Sequence, residues 1–456
     1  MHQPIYWPRS TSGSGNGYEK AKDTMDNAAA RGNHPSETLA DIFGVDDRKA
    51  GYQHRLRDAV AGMGNGIESG AQCTFSGSLM QNIKQLGDAG WNGYAASGAN
   101  WSGWTRNGEA RTWTTPGGKP RLDFICIPAH HAIAPFAHPR TLHWEIQVHK
   151  WLTQQHYGAS NAYTRGFFPP EMCFSERLIP VLVDEGFAWT VVANNHLSRA
   201  CRNFPYIHGT GGEMCDPPNK ADQVNPDGAN WMRMQIDRGC SPCNAIPFSV
   251  QPHYARYYDP HTGAESKIIV VPAEMALSWK DGYSPQGTGA IEAHIAPYND
   301  TAHPCLVLLG HDGDNAWGGG YSYYHEAVPN FTGAASIRPT TIEQYLADHP
   351  VDAGDIVHVE DGGWVNADGD FGSPQMINWT WFLWRNNQVD IEQGWHYKLR
   401  DYAIRMAALN YVLDAEAAAG ASSLSAARIA EPYSSGASAA EKAWHFYLGS
   451  LDSGFQ

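Results

Sequence analysis

Two short segments set a carboxylate where an apolar run ends: FFPPEMCFS at 167–175 carries Glu171, and LGHDGDNAWGGG at 309–320 carries Asp312. Two others set histidines in similar places, HQPIYWP at 2–8 and PAHHAIAPF at 128–136. In parallel α/β folds, function collects at the C-terminal ends of strands, so these four segments are the first to examine. Two carboxyl groups flanking one bond are the minimal equipment for glycoside cleavage. One attacks or supports the anomeric carbon, the other protonates the leaving oxygen, and a double displacement sets them ~5–5.5 Å apart. Environment must separate the two roles. Glu171, near His- and Arg-bearing segments, is expected to stay ionised; a proton donor needs burial or a neighbouring anion, which Asp314 could supply to Asp312. Spacing alone fits two other readings equally well, a turn or cation loop for DGD and a helix cap for Glu171.

The elements that must position these residues follow from the apolar pattern. Strand-length runs occur at 72–76, 123–128, 188–193, 267–272 and 305–310, with helical patterns between them at 52–63, 79–88, 141–155 and 175–185. In the last of these, Ser175 is a candidate N-cap and Gly186 a stop, and Pro180 weakens the middle. Such alternation predicts a parallel sheet in an α/β barrel or a doubly wound fold. Residues 197–265 interrupt it with a Pro-, Gly-, Asn- and Cys-rich insert. From Gln393 to Ala419, Leu399, Tyr402, Met406, Leu409 and Leu413 recur at helical spacing, and Ala-rich stretches at 415–445 continue the pattern. The expected organisation is a barrel over 1–330 and a helical region over 331–456 that closes the substrate groove.

Composition narrows the function. With 456 residues the chain exceeds the size of one ordinary core. Its 32 Lys and Arg against 47 Asp and Glu leave a net charge of −15, which argues against nucleic acid as a partner. No apolar run reaches the 18 residues of a membrane span. Seventeen Trp, 21 Tyr and 15 Phe supply flat faces suited to sugar rings, although many will be core. Among eight cysteines, Cys73, Cys126 and Cys305 sit in apolar runs and are expected as buried thiols. Cys201, Cys215, Cys240 and Cys243 share the polar insert, where two disulfides are favoured over a structural zinc site. No signal peptide is visible after Met1, so the expectation of a secreted or periplasmic rather than cytoplasmic protein rests on the character of the insert alone. The acidic, Gly-rich loop at 359–372 could hold calcium, but its spacing does not fit an EF-hand.

In order and spacing, these segments resemble the motifs of glycoside hydrolase family 57, an α-glucan-active retaining family. The resemblance implies an incomplete seven-stranded parallel (β/α) barrel followed by a helical C-terminal region. His2, Gln3 and Pro4 match its HQP motif, and His131 in HHAIAPF matches the His or Glu of its second. FFPPEMCFS matches the third, which makes Glu171 the nucleophile; LLGHDGDNAW matches the fourth, which makes Asp312 the acid/base. WTWFLW at 379–384, preceded by Gly363 and Trp364, resembles the Trp-rich fifth region. The chain departs from the family in three ways. Asp314 stands where the fourth motif has Glu, HHA replaces the commoner Tyr-His-Pro or Tyr-Glu-Pro, and only Met1 precedes HQP where the family carries a strand. Either the chain is truncated or its first strand is expected to be largely missing.

The combined expectation is a retaining α-glycosidase that cleaves or transfers α-glucan linkages, with no organic cofactor and an oligo- or polysaccharide partner. Glu171 and Asp312 are the catalytic pair. His2, Gln3, Trp7, His131, His196, His311, Trp317, Trp364 and Trp379 are the substrate-contact candidates, with His2 either meeting a sugar hydroxyl or holding a carboxylate. The rivals are a metal-dependent deacetylase or α-mannosidase using His2, His130, His131 and Asp312 as ligands, and a catalytically silent carbohydrate-binding homologue.

Overall fold

The computed structural model describes residues 1–2, 7–8, 18–26, 39–62, 68–95, 113–157, 165–205, 218–233, 243–283, 287–313, 335–364, 383–385, 388–433 and 436–453. Strands β1 (Ala71–Cys73) and β2 (Leu122–Phe124) pair in parallel. A parallel bridge from Cys126 to Phe167 joins β2 to β3 (Gly166–Phe167), which pairs in parallel with β4 (Trp189–Ala193). All five residues of β4 are buried, as expected of a strand covered on both faces and read as a continuous apolar run. Strand β5 (His253–Tyr258) is antiparallel to β6 (Glu265–Ala273), which itself runs parallel to β4. Strand β7 (Ile356–Val357) pairs in parallel with β5.

Two further positions complete the parallel series. Leu308 bridges Ala273 in parallel, so 305–310 joins the sheet through one residue pair rather than as a full strand. At the other end, the Met1 amino group donates to Thr74 O at 3.1 Å and Met1 O accepts from Ser76 N at 3.1 Å. That is the pattern of a parallel neighbour, so Met1 itself occupies the place where the first strand was expected to be largely missing. Read in chain order, the positions at Met1, β1, β2, β3, β4, β6 and Leu308 are sequential neighbours. This is the order of a seven-membered incomplete (β/α) barrel.

Helices lie where the apolar periodicity placed them. Helix α1 (Gly77–Asp88) is capped by Ser76, whose Oγ accepts from Leu79 N at 3.3 Å, and α2 (Pro139–Tyr157) follows the HHAIAPF segment. The pattern at 52–63 folds as a π-helical turn, Gly51–Arg55, running into a helix over Leu56–Gly62. At 175–185 the structure departs from expectation: a 3-10 turn over Glu176–Leu178 precedes α3 (Ile179–Asp184). Pro180 therefore sits in the first turn of α3, where its missing N–H costs nothing, and Ser175 makes no side-chain cap. Gly186, at φ +86°, ends the segment as expected.

The insert at 197–265 is more regular than its composition implied. It begins inside α4 (Asn194–Arg199), contains an antiparallel ladder between Trp231–Arg233 and Cys243–Ala245, and supplies β5 to the main sheet. The disulfide expectation is corrected for two of its cysteines: Cys201 and Cys243 are free, buried thiols. Cys201 Sγ turns back toward Leu197 O at 3.8 Å, at the end of α4. Cys215 and Cys240 lie outside the described residues. Among the described residues, no three His, Cys, Asp or Glu side chains are grouped to hold a metal ion.

Beyond residue 331 a short helix, Ile342–Asp348, leads into β7, and the segment after β7 reaches Phe174 through a single bridge at Gly362 before the helical layer begins. Helix α5 (Met275–Tyr283) follows β6, and the long α6 (Ile391–Ala419) opens the helical layer. Gly420, at φ +81°, terminates α6, so the Ala-rich stretch does not continue it. Instead it forms α7 (Ala426–Ala430) and α8 (Ala439–Gly449), the latter opened by a Ser438/Glu441 capping box. The layer docks on α1 and α2 through Leu409, Val412, Ile429, Trp444 and Leu448. Buried Glu416 ties the layers by accepting from Trp444 Nε1 at 2.9 Å and from Arg140 Nε of α2 at 2.8 Å. Among the described residues, no helix is long and apolar enough to cross a membrane.

Candidate active site

The first strand ends bring two histidines together. His2 stacks on His131, with ring centroids 4.1 Å apart and planes 7° from parallel. His2 Nδ1 lies 2.9 Å from Ser76 Oγ, and its Nε2 lies 3.2 Å from Asp452 Oδ2. Of the two roles expected for His2, the ring takes the second and holds a carboxylate. His131 Nδ1 is 2.8 Å from Ser453 Oγ and 3.9 Å from Glu171 Oε1. Burial, and then the nearby His2, holds His131 well below the ordinary imidazole value, so the ring is neutral near pH 7. Its neighbour His130 behaves differently. Burial opposes protonation there, but the Glu145 carboxylate outweighs it: Oε1 is 2.9 Å from Nδ1, and the net shift is upward.

Glu171 sits on a strained turn directly after β3. Its φ is +55° and that of Met172 is +51°, in the left-handed region where a residue with a Cβ costs on the order of 1–3 kcal/mol. His131 shares that conformation at φ +59°, so three of the described non-glycine residues with positive φ stand at adjoining strand ends. The surrounding backbone fixes the turn. Phe174 and Gly362 exchange both backbone hydrogen bonds, at 2.8 and 3.2 Å, and Trp364 N donates to Glu171 O at 2.9 Å. Residues 362–364 thus form a strap across the turn that carries the carboxylate. Cys173, buried beside it, remains a thiol, because burial and then the Glu171 charge raise its pKa well above normal.

Asp312 is held differently. Gly310 comes close to the tip of Met172, since a Cβ at this glycine would lie 3.2 Å from Met172 Cε, and this contact makes the two carboxylate-bearing segments neighbours. Gly310 N donates to Ser278 Oγ at 2.9 Å. His311 Nε2 lies 3.2 Å from Asp281 Oδ2 of α5, and its Nδ1 lies 3.1 Å from the Asp312 carbonyl. Asp312 itself is exposed, so burial, one of the two devices expected to raise its pKa, does not act on it. The other device, Asp314, lies outside the described residues.

The sequence profile described as glycosyl hydrolase family 57 matches residues 116–334, the span that holds His131, Glu171 and Asp312. An α-amylase of Niallia circulans is 31% identical over 453 residues, covering 84% of this chain. The chain belongs to glycosyl hydrolase family 57. It spans 34% of the length of that Niallia relative. An exo-type maltose-forming amylase from Pyrococcus sp. ST04 superposes with a TM-score of 0.51 at 11% identity, over 89% of this chain and 64% of that one, a likeness of fold.

For this family 57 chain, the remaining candidates divide by burial. His196, expected to touch substrate, is corrected to a role behind the site. It is 2% exposed, its Nε2 is 2.9 Å from Gly363 O, and its ring lies so close to Gly362 that a Cβ there would approach to 2.0 Å. It supports the strap, as does the buried Arg199–Glu360 ion pair beneath it, in which Arg199 Nη2 is 3.2 Å from Glu360 Oε1. Trp364 is half-buried at the end of the strap, its ring centroid 6.4 Å from that of Phe168. His311 anchors the Asp312 loop through the contacts above. Gln3, Trp317, Trp379 and the side chain of Trp7 lie outside the described residues.

Several supporting residues escaped the sequence reading. Glu274 directly follows β6 in VVPAEM, a strand end like the others, yet it is fully buried. It accepts from Asn244 Nδ2 at 2.9 Å and from Leu277 N at 2.6 Å, so it caps α5, the helix that carries Ser278 and Asp281 to the Asp312 loop. Burial raises its pKa despite these donors. Asp452 and Ser453 gave no signal, because nothing in a chain of this length announces that its last residues return to the first strand.

Proposed function

We propose that this family 57 chain is a retaining α-glycosidase acting on α-linked glucan, with Glu171 as nucleophile and Asp312 as general acid/base. The supporting observation is the strained, doubly strapped turn that aims Glu171 from a strand end beside the neutral His131. Strain of this kind persists only where the surroundings over-determine it, and it concentrates where geometry serves chemistry. Attack on an anomeric carbon needs a near-attack separation of ~3–3.5 Å along one direction, which a fixed carboxylate provides. Glu171 displaces the leaving oxygen as Asp312 protonates it, forming a glycosyl-enzyme; Asp312 then deprotonates the water or sugar hydroxyl that displaces Glu171, and the two inversions retain the anomeric configuration. Access of water to the glycosyl-enzyme decides between hydrolysis and transfer. His131, neutral, offers a hydrogen bond to a sugar hydroxyl, and the exposed part of Trp364 offers a stacking face.

Substrate class rests on the company the chain keeps, an α-amylase by sequence and a maltose-forming amylase by fold. The test is a panel of α- and β-linked glucans incubated with wild type, Glu171→Gln and Asp312→Asn, with the anomeric form of the first product followed by NMR. Cleavage of α-glucan alone, α-configured product and loss of turnover in both variants are expected. Full activity in both variants would refute the assignment.

A further inference from the structure

The stacked pair His2 and His131 is held from the far end of the chain. After α8 ends at Gly449, the segment Leu451–Ser453 returns to the first two strand ends, and Asp452 forms an antiparallel bridge with Ala132, next to His131. Asp452 is 2% exposed and presents its carboxylate to His2 Nε2 at 3.2 and 3.4 Å; Ser453 Oγ lies 2.8 Å from His131 Nδ1.

The hydrogen bonds leave little freedom for the protons. A carboxylate only accepts, so His2 Nε2 must carry a hydrogen toward Asp452. Ser76 Oγ accepts from Leu79 N, so its own hydrogen is available for His2 Nδ1 at 2.9 Å or Ser78 Oγ at 3.1 Å. His2 is thereby fixed at both nitrogens, with its ring plane set parallel to that of His131. Ser453 engages the His131 Nδ1 that lies 3.9 Å from Glu171 Oε1, and so competes with the carboxylate for that nitrogen. Among the described residues, His131 Nε2 has no protein partner.

We propose that Asp452 and Ser453 are positioning residues of the active site: together they fix the ring planes and proton placement of His2 and His131, keep His131 Nδ1 from engaging Glu171, and leave His131 Nε2 for the sugar. The inference rests on the glycosidase reading for what the two histidines serve, but the placement of their protons can be measured without substrate. On this view the helical layer does more than cover the barrel, because its last residues complete the site.

The test uses the full chain labelled with [15N]histidine. His2 and His131 are assigned through His2→Gln and His131→Gln, and long-range 15N–1H spectra report which ring nitrogen carries hydrogen. Asp452→Ala is expected to abolish the single Nε2–H form of His2. Asp452→Asn, which keeps an acceptor oxygen, should preserve it, and Ser453→Ala should alter His131 alone. On maltoheptaose, Asp452→Ala should lower kcat by about 10- to 100-fold, as expected when a site group is misaligned, with Asp452→Asn restoring most of the loss. Thermal melting identifies any variant that fails to fold, and Ser453→Ala, which removes only a hydroxyl, then carries the decision. Unchanged histidine spectra in Asp452→Ala and Ser453→Ala would overturn the inference. A wild type that cleaves no glucan would refute the glycosidase reading, while the histidine spectra still decide the positioning claim.

Discussion

The two carboxylate-bearing ends of the barrel are built by opposite means. Glu171 lies on a turn of left-handed residues, pinned by backbone hydrogen bonds to residues 362 and 364, which rest in turn on His196 and the buried Arg199–Glu360 pair. Asp312 extends from a segment that joins the sheet through one bridge, is anchored by Ser278 and Asp281 on α5, and is exposed. The contrast matches what the two proposed roles demand. A nucleophile must meet one carbon along one line, whereas proton transfer tolerates a rotating hydroxyl or a single intervening water. Under the proposed assignment, rigidity is concentrated where the bond to carbon would form.

The largest effect should come from the rigid end. Glu171→Gln is expected to lower kcat on an α-glucan by about 10⁴-fold or more, since nucleophile removal in enzymes of this kind leaves little beyond binding and electrostatics. Asp312→Asn should cost less, about 10²- to 10⁴-fold, the usual share of general acid–base catalysis. With an aryl glycoside whose leaving group needs no proton, the first-step deficit of Asp312→Asn should shrink while that of Glu171→Gln persists, as burst kinetics would show. Equal deficits on both substrates would erase the distinction drawn between the two ends.

The strap can be tested through stability. Arg199→Met removes the guanidinium that pairs with buried Glu360, and urea unfolding should report a loss of roughly 3–5 kcal/mol. Glu360 carries a pH signature as well. Burial opposes its charge, but His196 and Arg199 outweigh burial and bring its pKa down to about 2. A carboxyl depressed in the folded state stabilises the protein above its unfolded pKa of roughly 4.3 and loses that contribution as pH falls toward 2. Wild type should therefore lose stability across that window more steeply than Glu360→Gln. Gly362→Ala, with a Cβ aimed into the His196 ring, should destabilise by about 1–3 kcal/mol through overpacking and should impair kcat more than KM. A comparable small-to-large change at Gly354, where a Cβ would meet only Asp352 Oδ1 at 3.1 Å, should leave kcat unchanged.

Much of this architecture was legible because burial on both faces writes itself as apolar runs, as in AWTVVA before α4. β5 was hidden for the opposite reason. Its sequence HYARYY alternates more and less buried residues where it pairs antiparallel with β6, and it lay in a polar insert that read as loop. The catalytic candidates were visible because each follows an apolar run within a few residues. The supports were not: Glu274 looks in sequence like any strand-end acid, and only its burial shows that it caps α5. His196 seemed poised to face substrate, but the close backbone approach at Gly362 turns it into a prop. Asp452 depends on a contact between residues 450 positions apart, which no local pattern encodes.

The central claim, that Glu171 is the group that bonds to the sugar, is tested most directly by trapping the covalent intermediate. A fluorinated α-glucosyl substrate that forms the glycosyl-enzyme faster than water removes it should label the protein, and peptide mass spectrometry should find the added sugar on the peptide containing Glu171. A label on another carboxylate, or steady release of inverted product with no adduct, would contradict the account.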